Sequence, residues 1–291
     1  MRIHLIEFHE QLWFPASIRE EITDALQFGL NLTQAYAPIA ALLQNALACN
    51  WSHSIVDLCS GGGGPWRKLS ETLQQDGQPL QILLTDKYPK RSAETDLKLA
   101  SAVSARFYPA SVDPRDVPIA LAGIRTMFSS FHHFSPEEAR AVLENAINAK
   151  QAIGIFEITQ RTAATIGLMF PWALLSLLFT PWIRPFRWSR LLWTYVIPVI
   201  PLVLLFDGVV SCLRSYKPSE LREIVEKLNA SGYQWEIGER AGVLGLLPVT
   251  YAIGIPNPAL DFAAQVNRFP SQPFQPSDAN ALSGAPVHPD R

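Results

Sequence analysis

The sequence predicts a doubly wound α/β sheet with a terminal strand pair, an N-terminal helical layer and an inserted apolar helical hairpin. Three observations carry this expectation. Short β-branched or aliphatic runs alternate with helix-length segments between residues 51 and 160, the order that a parallel sheet with crossover helices requires. The first run, residues 54–58, leads through Cys59 and Ser60 into four consecutive glycines, 61–64, and then into Pro65, where a helix can begin. Two uncharged stretches, 166–183 and 191–206, interrupt the alternation before it resumes.

A chain of 291 residues is long enough for one large α/β domain with additions and a substantial core. The formal charge of −2 supplies no basic field, which argues against a nucleic-acid partner. Three cysteines, Cys49, Cys59 and Cys212, are an odd number without CxxC spacing, so neither a disulfide framework nor a thiolate metal site is expected. The six histidines form no HExxH-like cluster, and no metal is implied. The first residues contain an early acid, Glu7, and no sustained apolar run, unlike a secretory signal, so the expectation is a protein that stays in the cell.

In chain order, residues 1–50 read as mainly helical: Ile18, Ile22, Ala25, Leu26 and Leu30 recur at three- and four-residue steps, and a second apolar segment runs from Tyr36 through Leu42, Leu43 and Leu47. After the glycines, residues 65–75 should be a helix with Pro65 at its first position and Gly77 as its stop. Residues 80–86 form a strand ending in Asp86, residues 104–109 a third strand, and residues 124–130 a fourth that runs into His132 and His133. Ser135, Pro136 and Glu138 have the spacing of a capping box, so a helix starts there. Residues 152–158 give a fifth strand, with Glu157 near its exit. Residues 218–229 give an amphipathic helix, and 233–238 and 250–255 the last two strands. The stretch 257–291 is rich in proline, glutamine, serine and alanine and reads as a disordered tail. The resulting division is a helical cap at 1–50, a core at 51–160 and 208–256, the hairpin at 161–207, and the tail.

The glycine loop admits three ligands. A phosphate-cradling loop needs Lys-Ser/Thr after its last glycine, but Trp66-Arg67-Lys68-Leu69 follows. A dinucleotide fingerprint needs a third glycine where Trp66 stands, which disfavours NAD and a nicotinamide oxidoreductase. There remains an acidic strand end, Asp57, placed to hold a ligand's ammonium group above the loop. This stretch resembles motif I, DxGxGxG, of the class I S-adenosylmethionine (SAM) methyltransferases: Asp57, Gly61 and Gly63 fit, and Cys59 stands where the first glycine usually is.

That resemblance covers about residues 50–160 and 208–256. It implies a Rossmann-like sheet whose terminal strand pair is antiparallel, and SAM as cofactor. It further implies that Asp57 holds the methionine ammonium and that the loop of Cys59, Gly61, Gly62 and Gly63 passes under the cofactor. Asp86 would accept both ribose hydroxyls, a place that its spacing after the loop also suits. Val112 would lie beside the adenine and Asp113 on its amino group, and Tyr36 of the N-terminal layer would touch the cofactor. The plain alternatives are ordinary core packing for Tyr36 and turn-capping roles for Asp86 and Asp113. His132 and His133 are expected at the C-terminal sheet edge, where ligands bind in open α/β sheets and where an imidazole can take a proton at neutral pH. Because adjacent residues point in different directions, at most one of them is expected to face an acceptor.

As helices, the two halves of the hairpin would be roughly 25 Å long, slightly short of a ~30 Å hydrocarbon core. Strands lie on both sides of the pair, so both its ends return to one compartment, and two full spans would carry Arg184, Arg187 and Arg190 across, against the positive-inside tendency. A hairpin lying on or dipping into the cytoplasmic face of a membrane is expected, with its tryptophans and arginines in the headgroup layer; the alternative is packing on its own domain. The function expected is methyl transfer from SAM to a small lipophilic acceptor at that surface. The runner-up is a membrane-attached binding or assembly protein with the same fold and no turnover.

Overall fold

The computed structural model describes residues 2–49, 52–73, 79–89, 97–98, 103–228, 230–242 and 248–257. The expected helix stop at Gly77 and nearly all of the expected tail lie outside them. Among the described residues, eight strands form one sheet: β1 (Ser54–Leu58), β2 (Leu80–Leu84), β3 (Leu97–Lys98), β4 (Val103–Phe107), β5 (Ile124–Phe128), β6 (Ile153–Glu157), β7 (Tyr233–Arg240) and β8 (Val249–Pro256), in the order β3-β4-β2-β1-β5-β6-β8-β7. Strands β4, β2, β1, β5 and β6 are parallel, whereas β8 runs antiparallel to β6 and β7 antiparallel to β8. The terminal pair is therefore antiparallel, as expected. The two-residue β3, antiparallel to β4, has no counterpart in the sequence reading.

The chain steps outward from β1 to β2 and β4 and then returns to lay β5 against the other side of β1. That reversal opens the crevice at which open α/β sheets bind ligands. Consecutive residues face opposite sides of the sheet. Ile55, Phe128, Phe156 and Ile253 pack with α2 (Ala40–Cys49) and α3 (Trp66–Thr72), while Val56, Met127, Ile155 and Ala252 pack with α4 (Pro136–Asn148) and with Leu221 of a later helix. Both faces are covered at the centre of the sheet, where β1, β5 and β6 are buried almost throughout, whereas Gln81 of β2 and Ser104 and Arg106 of β4 are exposed. The capping box that starts α4 is present, with Glu138 N–H donating to Ser135 Oγ at 3.3 Å and Ser135 N–H donating to Glu138 Oε2 at 3.0 Å.

Residues 1–50 are less helical than expected. Before α1 (Ala16–Leu32) the chain is a strap with one 3-10 turn at Phe8–Glu10. It lies along the last turn of a later helix and the β5–α4 turn: Ile3 N–H donates to Leu213 O at 3.1 Å, and Arg2 Nη2 donates to the carbonyls of His132 and Phe134. Its apolar side chains, Ile3, Leu5, Ile6, Phe8, Leu12, Trp13 and Phe14, follow no helical period, so nothing drives a helix, and its backbone and Arg2 are held by tertiary bonds instead.

The hairpin consists of α5 (Ala163–Phe179), the short α6 (Trp188–Leu191) running into a wide π-turn at Leu192–Val196, and α7 (Val199–Arg214), after a bend of 74°. The unit Ala163–Trp182 is long and apolar enough to cross a membrane, and the bent pair passes the same test of length and composition. Helix α7 continues past the expected end of the insertion, and α8 (Pro218–Glu226) follows it.

One of the three hairpin arginines is not where the sequence reading put it. Arg190, 1% exposed, pairs with Asp24 of α1 at 2.6 Å and donates to the carbonyls of Ile183 and Pro185. Arg187 donates to Glu20 at 3.1 Å, and Ser189 Oγ donates to Glu21. A cation removed from water needs a countercharge, and the acids of α1 supply it across more than 160 residues of sequence. The hairpin thus docks on α1, where Phe14, Ile18, Ile22, Ala25, Ile183, Ile200, Val203 and Leu204 form a third cluster. Its outer face still exposes Phe170, Leu174, Leu178, Trp182, Trp188, Val196 and Leu202.

Candidate active site

The glycine loop leaves the C-terminal end of β1 at the crevice. Its backbone is left-handed at Cys59 (φ +56°), Gly61 (+55°), Gly63 (+105°) and Gly64 (+51°). Cys59 stands where the motif usually has glycine, and the chain makes a glycine-like turn there nonetheless. For a residue with a Cβ this conformation costs roughly 1–2 kcal/mol. The Cys59 thiol is held well above its ordinary pKa by burial and by the neighbouring Asp86, Asp57 and Asp113 carboxylates.

Asp57 is buried at the strand end, where Thr126 Oγ1 of β5 donates to its Oδ1 at 2.7 Å. Burial pushes its carboxyl up to about 6, against the lowering effect of its hydrogen bonds. Asp86 lies just beyond β2 and turns back to the loop. Gly61 N–H donates to its Oδ2 at 2.9 Å and Tyr88 N–H to its Oδ1 at 2.8 Å. One carboxylate thus holds the loop from the neighbouring strand.

The loop is also clamped from α1. Thr23 Cγ2 lies 3.0 Å from where a Cβ on Gly61 would be. Asn31 Nδ2 donates to Gly64 O at 3.1 Å while its Oδ1 accepts from Lys68 N–H at 3.0 Å, so a residue of α1 caps the first turn of α3. Pro65 precedes the helix as its N-cap, one position earlier than expected.

Val112 is buried and donates its N–H to Asp86 O at 3.0 Å, which puts it at the same edge. Asp113 is engaged elsewhere: Arg115 donates to both its oxygens, at 2.9 and 2.7 Å, and holds its carboxyl below the ordinary range. Tyr36 is fully enclosed, edge-on to Phe128 with its hydroxyl 2.6 Å from Ser129 Oγ. Ser130 Oγ is buried at this edge without a hydrogen-bond partner. Asp57, Cys59, the glycines, Asp86 and Val112 are thus brought together, with Tyr36 behind the edge and Asp113 tied to Arg115.

The histidines depart from expectation. They follow β5 in a 3-10 turn, Phe131–His133, and instead of pointing in different directions their rings sit side by side, with centroids 4.3 Å apart, and both face carboxylates. His132, 2% exposed, has Nδ1 2.7 Å from Glu157 Oε2. Burial would raise the Glu157 carboxyl, but the charge and hydrogen bond of His132 outweigh it, and the carboxyl lies below its ordinary value. Glu157 Oε1 accepts from the N–H groups of Phe131 and His132 at 2.7 and 3.3 Å. The His132 Nε2 has no hydrogen-bond partner and faces Glu7 Oε1 at 3.6 Å. His133 Nδ1 lies 2.5 Å from Glu10 Oε1.

Sequence reasoning did not find Glu7, His9, Glu10, Asp207 or Arg214, which complete this polar cluster. One signal was present: Asp207 and Arg214 are the charged residues of the otherwise apolar α7. Charges on such a helix need partners when buried. The absence of a histidine cluster along the sequence likewise did not carry over to space, because Glu7, His9 and His133 converge there.

A parallel sheet with its switch point between β1 and β5, an antiparallel β8-β7 pair at one end and the glycine loop after β1 decides the architecture. The fold is a Rossmann-like α/β sheet closed by an antiparallel pair. No protein-family model and no curated protein matches the chain. Among solved structures, human N-acetylserotonin methyltransferase in complex with SAM aligns over 86% of this chain and 62% of its own, at 12% identity and a TM-score of 0.45. A SAM-dependent methyltransferase from Aquifex aeolicus aligns over 80% and 97%, at 14% identity and 0.43. A Rhodobacter sphaeroides chain assigned provisionally to the Zn-dependent alcohol dehydrogenases aligns over 81% and 98%, at 14% and 0.43. The chain spans about three fifths of the human enzyme's length. Similarity at this level concerns architecture, and the chemistry has to be argued from the residues.

Proposed function

We propose that this protein is a SAM-dependent methyltransferase acting on a small lipophilic acceptor at the cytoplasmic face of a membrane. The observation that carries the cofactor is the left-handed loop after β1, bracketed by the Asp57 and Asp86 carboxylates, with the Gly61 amide already on Asp86. Asp57 suits an ammonium group, Asp86 a pair of ribose hydroxyls, and the unpartnered Ser130 Oγ a further polar group at the same edge. When bound, SAM supplies an activated methyl group, so the chain has to align an acceptor and exclude water. His132 suits the proton-accepting role for a hydroxyl or activated carbon: Glu157 fixes its Nδ1 and leaves Nε2 free.

The deciding experiment is calorimetry with SAM on the wild type and on Asp86→Ala. Binding by the wild type, weakened at least tenfold in the variant, supports the reading; no wild-type binding overturns it. The second reading, a binding protein without turnover, is favoured by the position of Glu7 in front of His132 Nε2. SAM binding without methyl transfer to any lipid extract would select it.

The membrane part of the proposal rests on the exposed apolar face of the hairpin. Leu174→Glu with Leu178→Glu changes exposed positions and should abolish co-flotation with anionic liposomes. Unchanged flotation would remove this part and leave the cofactor untouched.

A further inference from the structure

Glu7 is fully buried, and its two carboxylate oxygens have different surroundings. Oε1 accepts from Ser211 Oγ at 3.1 Å and lies 3.4 Å from Arg214 Nη1. Oε2 has no hydrogen-bond partner and points between two imidazole nitrogens, His133 Nδ1 at 3.5 Å and His9 Nδ1 at 3.7 Å. The three donor atoms lie within 4.8 Å of one another. Ligands bonded at 2.0–2.1 Å around a tetrahedral ion stand about 3.3 Å apart, close to the two carboxylate–imidazole separations. Two further carboxylates border the same space: Asp207 Oδ2 is 2.8 Å from His9 Nδ1, and Glu10 Oε1 is 2.5 Å from His133 Nδ1.

We propose that Glu7, His9 and His133 form a binding site for a divalent transition-metal ion of the zinc class, with Glu10 and Asp207 as neighbouring oxygen donors. Arg214 answers two of these three carboxylates, at 2.7 Å from Glu10 Oε2 and 3.4 Å from Glu7 Oε1, and leaves Glu7 Oε2 free. A divalent ion bonded to the two imidazole nitrogens would displace the protons they now direct at Asp207 and Glu10, so binding releases two protons and leaves the charge of the cluster unchanged. Two imidazoles with a carboxylate suit zinc and its first-row neighbours, whereas magnesium and calcium prefer all-oxygen sites. The donors come from the strap, the β5–α4 turn and α7, so the ion would fasten the strap across the sheet edge beside His132. The site is independent of the methyltransferase reading.

The test uses the full chain, stripped with a chelator, dialysed, and titrated with Zn²⁺ against a chromophoric competitor, with Co²⁺ as a spectroscopic probe. The expected result is one equivalent of Zn²⁺, visible Co²⁺ ligand-field bands, and a metal-dependent rise in Tm. His9→Ala and His133→Ala should each weaken binding at least tenfold, while His53→Ala, an exposed histidine before β1, leaves it unchanged. No stoichiometric binding by the wild type overturns the site, and so does binding that survives both folded variants. Should His133→Ala unfold, the wild-type titration and the partly exposed His9 still decide.

Discussion

The indole of Trp172 in α5 occupies the space beside Gly29 of α1 so closely that a Cβ at Gly29 would fall 2.1 Å from its Cη2 and 2.2 Å from its Cζ2. This contact joins the hairpin to the N-terminal helix. Gly29→Ala must push the ring out, and overpacking of this kind costs about 1–3 kcal/mol. The helix preference of alanine over glycine, up to about 1 kcal/mol, offsets part of that cost. We expect a lower denaturation midpoint and a shift in tryptophan emission. Gly167, with nothing within 4 Å of its Cβ position, is the control: Gly167→Ala should be neutral or stabilising.

The Arg190–Asp24 pair, 1% and 4% exposed at its side chains, makes a second joint between the same elements. Removing one partner from a buried pair leaves an uncompensated charge and costs roughly 3–5 kcal/mol. Arg190→Met or Asp24→Leu alone should therefore destabilise strongly in urea melts. The double variant should recover part of the loss, since the Asp24 charge is no longer stranded, while the buried Glu21 beside Arg190 still loses a neighbouring cation. A double variant as unstable as the sum of the two would show that the residues act separately.

Cys59 carries a left-handed backbone that glycine adopts freely. Cys59→Gly removes that strain, at some cost in unfolded-chain entropy. The expected outcome is a rise in stability of up to about 1 kcal/mol with SAM binding retained, read from thermal melts and calorimetry. Cys59→Val, β-branched at a position with φ > 0, should lose stability.

The sheet and its loop were legible because they depend on local signals. Alternating apolar runs gave the strands, the four glycines gave the turn after β1, and the Ser135–Glu138 spacing gave the start of α4. The His132–Glu157 pair was half legible, since both residues lie at predicted strand exits, but nothing local fixed how their side chains meet. The cluster of Glu7, His9, Glu10, Asp207 and Arg214 was not legible, because it joins segments about 200 residues apart through charge pairing, which leaves no periodic mark. For the same reason the hairpin arginines read as surface cations, whereas Arg190 is buried against Asp24 of α1.

Asp57 gives the pH prediction. Burial raises its carboxyl from 3.8 to about 6 in the folded chain. Below about pH 4 both folded and unfolded chains keep the proton, and the group has no effect on stability. Between about 4 and 6 the unfolded chain ionises first, so stability falls as pH rises, and above 6 the full cost, roughly 3 kcal/mol, is present. Asp57→Asn should flatten this slope in urea melts from pH 4 to 7. Under the proposed function, a ligand ammonium beside Asp57 favours the carboxylate, so binding must release a proton while the free protein is still protonated. SAM affinity should then rise up to tenfold per pH unit below 6 and level off above it. Calorimetry at pH 5.5 in buffers of different ionisation enthalpy measures that proton directly, and an apparent binding enthalpy independent of the buffer would show that Asp57 does not meet the ammonium.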